Sequence, residues 1–228
     1  VVKLAAAGIM VGADGKARPQ DNITREEAAT LFARAFTLPE KTDDPHPFKD
    51  ADRISAWAAG YVGGLHTAGY LDGKPGGNFD PQADIARAEV VTILDNMVNA
   101  FYRLKGEYTA GDVSGNALAN TAGVTLSGLN ISGSLYLTEG IGQGSAVLND
   151  LTVGKTTYIR AGGSGASSVT VNAGDLGAVE LDSWTNTHLA LSNDTLASKI
   201  TIRNTGKVTR GGAAVAFDAT KGLLELSG

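Results

Sequence analysis

The chain has 228 residues, with 19 Lys and Arg against 24 Asp and Glu, a net charge of −5 and no cysteine. A negative net charge argues against nucleic acid as the main partner, because binding to phosphates requires a basic field. The lack of cysteine excludes disulfide scaffolds and thiolate chemistry. No stretch approaches the roughly 20 apolar residues of a membrane span, so membrane insertion is not expected.

The composition changes near residue 105. All six prolines precede residue 82, whereas 20 of the 30 glycines follow residue 104. A charged segment punctuated by proline, followed by a Gly-, Thr- and Val-rich segment, indicates a domain boundary. We predict a helical module over residues 1–104, a linker over 105–117 and a second domain over 118–228.

Three runs in the first half carry apolar residues at helical spacing. The first follows Thr24, the second extends from Ile54 to Leu65 and the third from Arg87 to Phe101. Asn22 or Thr24 is a favourable N-cap, and Glu26 or Glu27 is stabilised in the first turn by the helix dipole. The first half is therefore predicted to consist of helices joined by turns.

These helical pieces form an internal repeat. The early positions align at an offset of 61 residues and the later ones at 62, because one copy has a longer turn. The aligned pairs are Leu4 with Leu65, Gly8 with Gly69, Ile23 with Ile85, Arg25 with Arg87, and Glu27 with Glu89. The chain thus carries one partial and one complete copy of the same helical unit.

Anchor residues occur in a fixed order along the two copies: Phe-x-Asp from Phe48 and Trp-Ala at Trp57, which only the second copy contains, then Leu-x-x-x-Gly, a proline and, in the first copy, Thr-Arg-x-Glu from Thr24. This order resembles the S-layer homology (SLH) motif over residues 1–104. The resemblance implies a helical prism of three motifs that holds bacterial surface proteins to pyruvylated secondary cell-wall polysaccharide. It also implies an extracellular location, in the cell wall, an S-layer or a surface appendage.

The resemblance places Thr24, Arg25 and Glu27 on the signature tetrad, with Glu26 where the family usually has alanine. In the second copy Ala86 replaces the threonine. A pyruvate carboxylate favours the bidentate fork of arginine, and a helix N-terminus adds amide donors. The predicted polysaccharide-binding residues are Thr24, Arg25, Glu27, Arg87, Glu89 and Trp57, the last by stacking on a sugar. The alternative is that the Arg–Glu pairs are structural and that Trp57 is a core residue.

The second half repeats with a period near 22 residues. Residues 124–137 align with 146–159. Weaker repeats of the pattern follow from Val169 to Leu226, as short predicted strands of alternating apolar and polar residues. This pattern predicts a parallel β-solenoid of right-handed coil, with Gly, Asn and Asp at the corners. A β-sandwich is the competing fold, since its strands have similar spacing. The predicted fold class is α+β multidomain, with an SLH-like helical module followed by the solenoid.

The pattern favours a non-catalytic structural protein. The last predicted strands leave an open ladder, which predicts self-assembly into a homo-oligomer, surface layer or fibre. The rival is a tethered β-helix polysaccharide lyase or hydrolase, whose candidate groups are Asp175, Glu180, Asp182, Arg203 and Arg210. The three histidines are scattered and no nucleotide or hydrolase motif occurs, so no catalytic residue, metal or cofactor is predicted.

Overall fold

A computed structural model describes residues 4–5, 8–12, 16, 18, 20–41, 47–161, 167–183, 187–204, 206–215 and 223–224. The chain divides into two compact units, Val1–Met97 and Val98–Gly228. No helix in the described ranges is long and apolar enough to cross a membrane. The two units differ in secondary structure, as the change in composition predicts.

The first unit contains helices α1 (Arg25–Ala35), α2 (Ala56–Thr67) and α3 (Arg87–Met97), and a 3-10 helix at Ala51–Arg53. Helix α1 packs against α2. The buried faces of these two helices consist of small and medium apolar residues, which let the backbones approach closely: Ala28, Ala29 and Ala33 on α1, and Ala58, Val62 and Leu65 on α2.

Helix α3 ends four residues before its predicted end at Phe101. Asn99 donates its backbone N–H to the carbonyl of Asn116 (2.8 Å), and its side-chain Oδ1 accepts the N–H of Asn116 (2.9 Å). These bonds tie the chain to the next rung of the solenoid, so Phe101 lies in a strand. The predicted helix extended too far because the strand that follows it is too short to be distinguished from a helix by the spacing of its apolar residues.

The second unit is a parallel β-solenoid of about five turns, which confirms the predicted parallel solenoid. One ladder runs along a seven-stranded sheet whose parallel members are β1 (Ala100–Tyr102), β3 (Ala117–Ala119), β5 (Leu135–Leu137), β8 (Thr156–Ile159), β11 (Ala178–Leu181) and β14 (Lys199–Ile202). The other sheet has ten strands. Its parallel members are β2 (Gly106–Val113), β4 (Val124–Ile131), β6 (Ser145–Asn149), β7 (Leu151–Val153), β9 (Ser167–Val171), β10 (Gly174–Asp175), β12 (Thr187–Leu191), β13 (Thr195–Leu196) and β15 (Gly206–Arg210). A 3-10 turn, Glu139–Ile141, separates β5 from β6.

The strand register follows the 22-residue alignment. Leu126 pairs with Leu148, Tyr136 with Tyr158, and Ile131 with Val153, as predicted from the sequence. The inward residues of successive rungs stack into a single apolar core, in which Leu126, Leu148, Leu151 and Leu189 are fully buried. Stacked rungs thus bury one another.

Residues 105–117, which the composition predicts as a linker, contain β2 and the first residue of β3. Strand β2 pairs with β4 from Gly106 to Val113. A rung paired in this way belongs to the solenoid, so the second unit begins at Val98, before the predicted linker. Glycine-rich composition occurs at the corners of this solenoid as well as in linkers, so composition alone does not distinguish the two.

The far end of the solenoid differs from the open parallel ladder that the repeat pattern predicts. Strand β16 (Ala213–Ala214) pairs antiparallel with β15, and β17 (Leu223–Leu224) pairs antiparallel with β14. The last described strand of each sheet therefore runs antiparallel to its neighbour. The remaining predicted strand residues, 216–217 and 225–226, lie outside the described part of the chain.

Candidate functional site

Two of the predicted site residues, Thr24 and Arg25, lie where the two repeat copies meet, which we call the copy junction: residues 23–26 of the first copy against 81–85 of the second. Arg25 N donates to Ala83 O (2.9 Å), Ile85 N to Ile23 O (3.0 Å) and Glu26 N to Pro81 O (3.1 Å). The last residues before α1 thus pair antiparallel with the chain before α3. This pairing gives the backbone amides at the start of α1 acceptors from the other copy.

Thr24 and Glu27 form a capping box at the start of α1. The N–H of Glu27 donates to the Thr24 hydroxyl (3.3 Å), and the N–H of Thr24 donates to the Glu27 carboxylate (2.8 Å). The capping role predicted for Thr24 is observed, and it satisfies two amides that a helix start otherwise leaves unpaired. Glu27 remains exposed and uses one carboxylate oxygen in this cap.

Arg25 is buried at the copy junction, with 4% of its surface exposed. Its Nε donates to the carbonyl of Phe79 (2.6 Å) and its Nη1 to Oε1 of Glu89 (2.5 Å). The guanidinium also lies over the Phe79 ring, 5.0 Å from its centroid. Arg25 and Glu89, two of the predicted ligand residues, therefore pair with each other between copies.

Glu26 is a second buried charge at this junction, and its contacts with Ser55 and Gln82 were not predicted from the sequence. Its carboxylate accepts the backbone N–H (2.9 Å) and hydroxyl (2.7 Å) of Ser55, and the side-chain amide of Gln82 (2.7 Å). The buried carboxylate thus ties the start of α1 to the start of α2. The signal in the sequence was that Glu26 occupies a position of the signature tetrad where the family usually has alanine.

Arg87, which aligns with Arg25, is exposed. In the described ranges, no residue forms a hydrogen bond or ion pair with its side chain, and none accepts from its backbone N–H or that of Ala88. Glu89 reaches back to the N–H of Ala86 (2.8 Å), but Ala86 has no hydroxyl to complete the capping box. The two aligned arginines therefore occupy opposite environments.

Trp57 lies in the first turn of α2 and is 51% exposed. The spacing of apolar residues on this helix also fits a core position, and the structure excludes that alternative. The structure thus leaves an indole surface open to solvent on a rigid helix. A flat apolar ring of this kind is suited to stacking.

Asp50 organises the turn that carries Phe79. Its carboxylate accepts the N–H groups of Phe79 (2.7 Å) and Asp80 (2.8 Å). Burial opposes ionisation of Asp50, but these backbone amides outweigh it and lower the pKa of the carboxyl below its usual value. Phe79 is fully buried and stacks on Phe48, so Asp50 helps to hold the carbonyl that Arg25 contacts.

We expect Asp50→Asn to destabilise the first unit by about 2 kcal/mol at neutral pH, because the two N–H groups donate to different carboxylate oxygens and the amide replaces one of these oxygens with an NH₂ donor. A lowered pKa means that the stabilisation by Asp50 is complete above the unfolded pKa of about 4 and is lost as the pH falls through the folded pKa. Urea titrations of both proteins from pH 7 to pH 2.5 measure this. The difference between their midpoints is expected to narrow below about pH 4, and a constant difference would contradict the assignment.

Among the acidic groups weighed for catalysis, Glu180 and Asp182 both lie near the guanidinium of Arg203, whereas Asp175 is separate from them. Glu180 is held in a two-point ion pair by Arg203 (2.6 and 3.0 Å), which raises the pKa of the guanidinium, and Asp182 accepts from Asn204 (2.5 Å). Asp175 lies in the other sheet, on a groove of 390 Å³ that Arg210 also lines. In the described ranges, no group of three or more His, Asp and Glu side chains is placed to hold a metal ion.

These features define a class of protein with a repeated helical unit and a β-solenoid. Residues 1–29 and 47–91 match the family model described as S-layer homology domain, so the resemblance is confirmed and the chain carries SLH sequence. No solved structure matches the chain significantly.

Several curated proteins are similar over part of the chain. S-layer protein EA1 of Bacillus anthracis is 32% identical over 94 residues (41% of this chain, 11% of the relative), and the S-layer protein of Bacillus licheniformis is 30% identical over 125 residues (50% and 14%). An amylopullulanase of Thermoanaerobacterium thermosulfurigenes is 35% identical over 92 residues (39% and 5%). The alignments span 14% or less of these relatives, which include both S-layer proteins and an enzyme. The matches indicate an extracellular protein of the bacterial cell wall or surface layer.

Proposed function

We propose that this chain attaches non-covalently to an anionic cell-wall polysaccharide through its helical unit, while the β-solenoid serves as a stiff structural shaft. The observation that carries the proposal is the exposed guanidinium of Arg87 at the start of α3, which has no hydrogen-bond or ion-pair partner among the described residues and lies in a region that matches the SLH family. The finer assignment is a pyruvylated secondary wall polymer, whose ketal carboxylate is the expected ligand group.

The chemistry at Arg87 suits such a carboxylate. The side chain is exposed, and the amides of Arg87 and Ala88 have no acceptor in the described ranges. A guanidinium beside free amides at the positive end of a helix offers directional donors to an anion. Trp57 supports the same function, because an exposed indole can cover the apolar face of a sugar ring.

The other predicted residues act indirectly in this proposal. Arg25 and Glu89 are paired across the copy junction, and Thr24 and Glu27 cap α1. Their role is to hold the two copies in a fixed arrangement, so that the exposed ligand groups stay in place. Polysaccharide contact is therefore assigned to Arg87 and Trp57, and positioning to the remaining four residues.

The proposed role is non-catalytic. Glu180 and Asp182 are each engaged by a neighbour, and Asp175 lies in a different sheet. A paired-carboxylate mechanism needs two acids that are available to flank one bond, and both Glu180 and Asp182 are held by neighbouring side chains. The relatives named S-layer proteins support a structural role, and the proposal includes self-association of this chain in a surface layer.

Co-sedimentation with purified wall polymer tests the anchor. We expect Arg87→Ala and Trp57→Ala each to weaken binding about tenfold or more, since each removes about 1.5 kcal/mol of contact. Arg53→Ala is the matched control, because it removes an exposed arginine from the same unit and should leave binding unchanged. If both variants bind as the unaltered protein does, or if polymer without pyruvate binds equally well, the assignment is wrong.

A further inference from the structure

We infer that the groove on the side of the solenoid is a second glycan site, which binds an uncharged oligosaccharide in an extended conformation. The groove has a volume of 390 Å³, and residues on and next to the successive strands β7, β10 and β13 line it. It shares no residue with the wall-polymer contact assigned to Arg87 and Trp57. The inference therefore goes beyond attachment through the helical unit.

The line of the groove is set by one outward side chain from each of three rungs. Thr152 is in register with Asp175, and Asp175 is in register with Leu196. All three residues are exposed. Neighbouring strands lie about 4.8 Å apart, so these side chains extend about 10 Å along the solenoid axis. The groove thus presents a hydroxyl, a carboxylate and an apolar group at regular steps.

Asp175 has a carboxylate oxygen that is available to a ligand. Its Oδ1 accepts the backbone N–H of Gly177 (2.9 Å), whereas its Oδ2 accepts no hydrogen bond from the described residues. The bond to Gly177 restrains the side chain beside the groove. An ionised oxygen in a restrained position is a strong acceptor for a ligand hydroxyl.

Arg210 supplies donors at one end of the groove. It belongs to the following rung, on β15, and its Nη2 donates to the carbonyls of Asn193 (3.1 Å) and Thr195 (3.4 Å). Its Nε and Nη1 donate to no acceptor among the described residues. The two backbone contacts hold the guanidinium in place and leave N–H groups for a ligand.

The charges of the lining favour an uncharged ligand. Asp175 and Arg210 are the charged residues that line the groove, and their charges cancel. A sugar hydroxyl can donate to the carboxylate and accept from the guanidinium, whereas an anionic group would also face Asp175. Leu196 is 54% exposed and offers an apolar surface to the C–H face of a sugar ring.

The spacing of the rungs favours a straight chain of sugars. The step between rungs is close to the length of one pyranose unit in an extended β-linked chain, so successive sugars meet successive rungs. An α-linked glucose chain coils and leaves such a line. Gly154, Gly177 and Ser198, which lie beyond the three strands, are small and leave that side of the groove open.

NMR titration of the isotope-labelled full chain tests the inference with two glucose hexasaccharides that differ only in linkage. Cellohexaose, which is straight, is expected to shift the amide signals of Thr152, Asp175 and Leu196 with a Kd on the order of 1 mM. Maltohexaose, which is coiled, should bind at least tenfold more weakly. Equal binding of the two sugars, or no shift at these three residues, overturns the inference.

Asp175→Asn provides the matched substitution, because it keeps one oxygen for the Gly177 N–H and replaces the available oxygen with an amide donor. We expect it to weaken cellohexaose binding about tenfold, since a charge-assisted hydrogen bond is lost. Asp112→Asn, at an exposed aspartate of β2 outside the groove, should bind as the unaltered chain does. Equal affinity of the Asp175→Asn variant and the unaltered chain would refute the site.

Wall binding is scored separately on the same proteins. Asp175→Asn leaves Arg87 and Trp57 intact and should co-sediment with wall polymer normally. A loss of cellohexaose binding with normal co-sedimentation supports two independent sites, whereas parallel loss of both contradicts the inference. Failure of the groove is thus distinguishable from failure of the anchor.

Discussion

Replacing Arg25 with alanine is expected to destabilise the helical unit by about 3 kcal/mol, because it leaves the Glu89 carboxylate and the Phe79 carbonyl without their buried partner. Arg25 is 4% exposed and supplies both hydrogen bonds and a ring contact across the copy junction. Arg87→Ala, at the aligned position, should change the free energy of unfolding by no more than about 0.5 kcal/mol. Substitution of Arg25 is thus predicted to destabilise the helical unit strongly, whereas substitution of the aligned Arg87 is predicted to have little effect on its stability.

Urea unfolding of the full chain, followed by the helical signal in circular dichroism, measures this contrast. A further variant, Glu89→Gln, should lose part of the same stability, because a neutral acceptor forms a weaker bond with a buried guanidinium. Equal effects of Arg25→Ala and Arg87→Ala would contradict the arrangement of the copy junction.

The second large effect is expected in the solenoid core. Leu148→Ala should destabilise the second unit by about 2–5 kcal/mol, because a fully buried leucine leaves a cavity between rungs that cannot collapse. Val147→Ala, one residue earlier on the same strand, should cost less than about 1 kcal/mol, since Val147 faces outward and is half-buried. Thermal unfolding of the two variants provides the comparison, and a reversed order would mean that the strand register is wrong.

Part of the solenoid was predictable residue by residue. The pairs Leu126–Leu148 and Tyr136–Tyr158 follow from an offset of 22 residues, and the two tyrosine rings stack at 4.8 Å. Parallel stacking places the same position of each rung above the next, so a repeat in sequence becomes a contact in space. The rung formed by β2 escaped prediction because its glycines resemble those of a linker.

The sequence drew attention to the residues around the copy junction, but it did not predict their contacts. The repeat and the capping pattern identified Thr24, Arg25, Glu27, Arg87 and Glu89 from sequence. The partner of Arg25 was not identifiable, since Glu89 is 64 residues away and the pairing depends on how the second copy packs. The engagement of Glu26 with Ser55 and Gln82 was missed for the same reason.

The sequence by itself determined the SLH resemblance, the two-part organisation and the solenoid register, because these depend on residue type at fixed spacing along the chain. Only the tertiary structure decided that Arg25 is buried while the aligned Arg87 is exposed, that Trp57 faces solvent, and that the solenoid acids are dispersed over two sheets. The physical reason is that burial and pairing are set by the neighbour that packs against a residue. Two copies with the same local sequence signature have different neighbours.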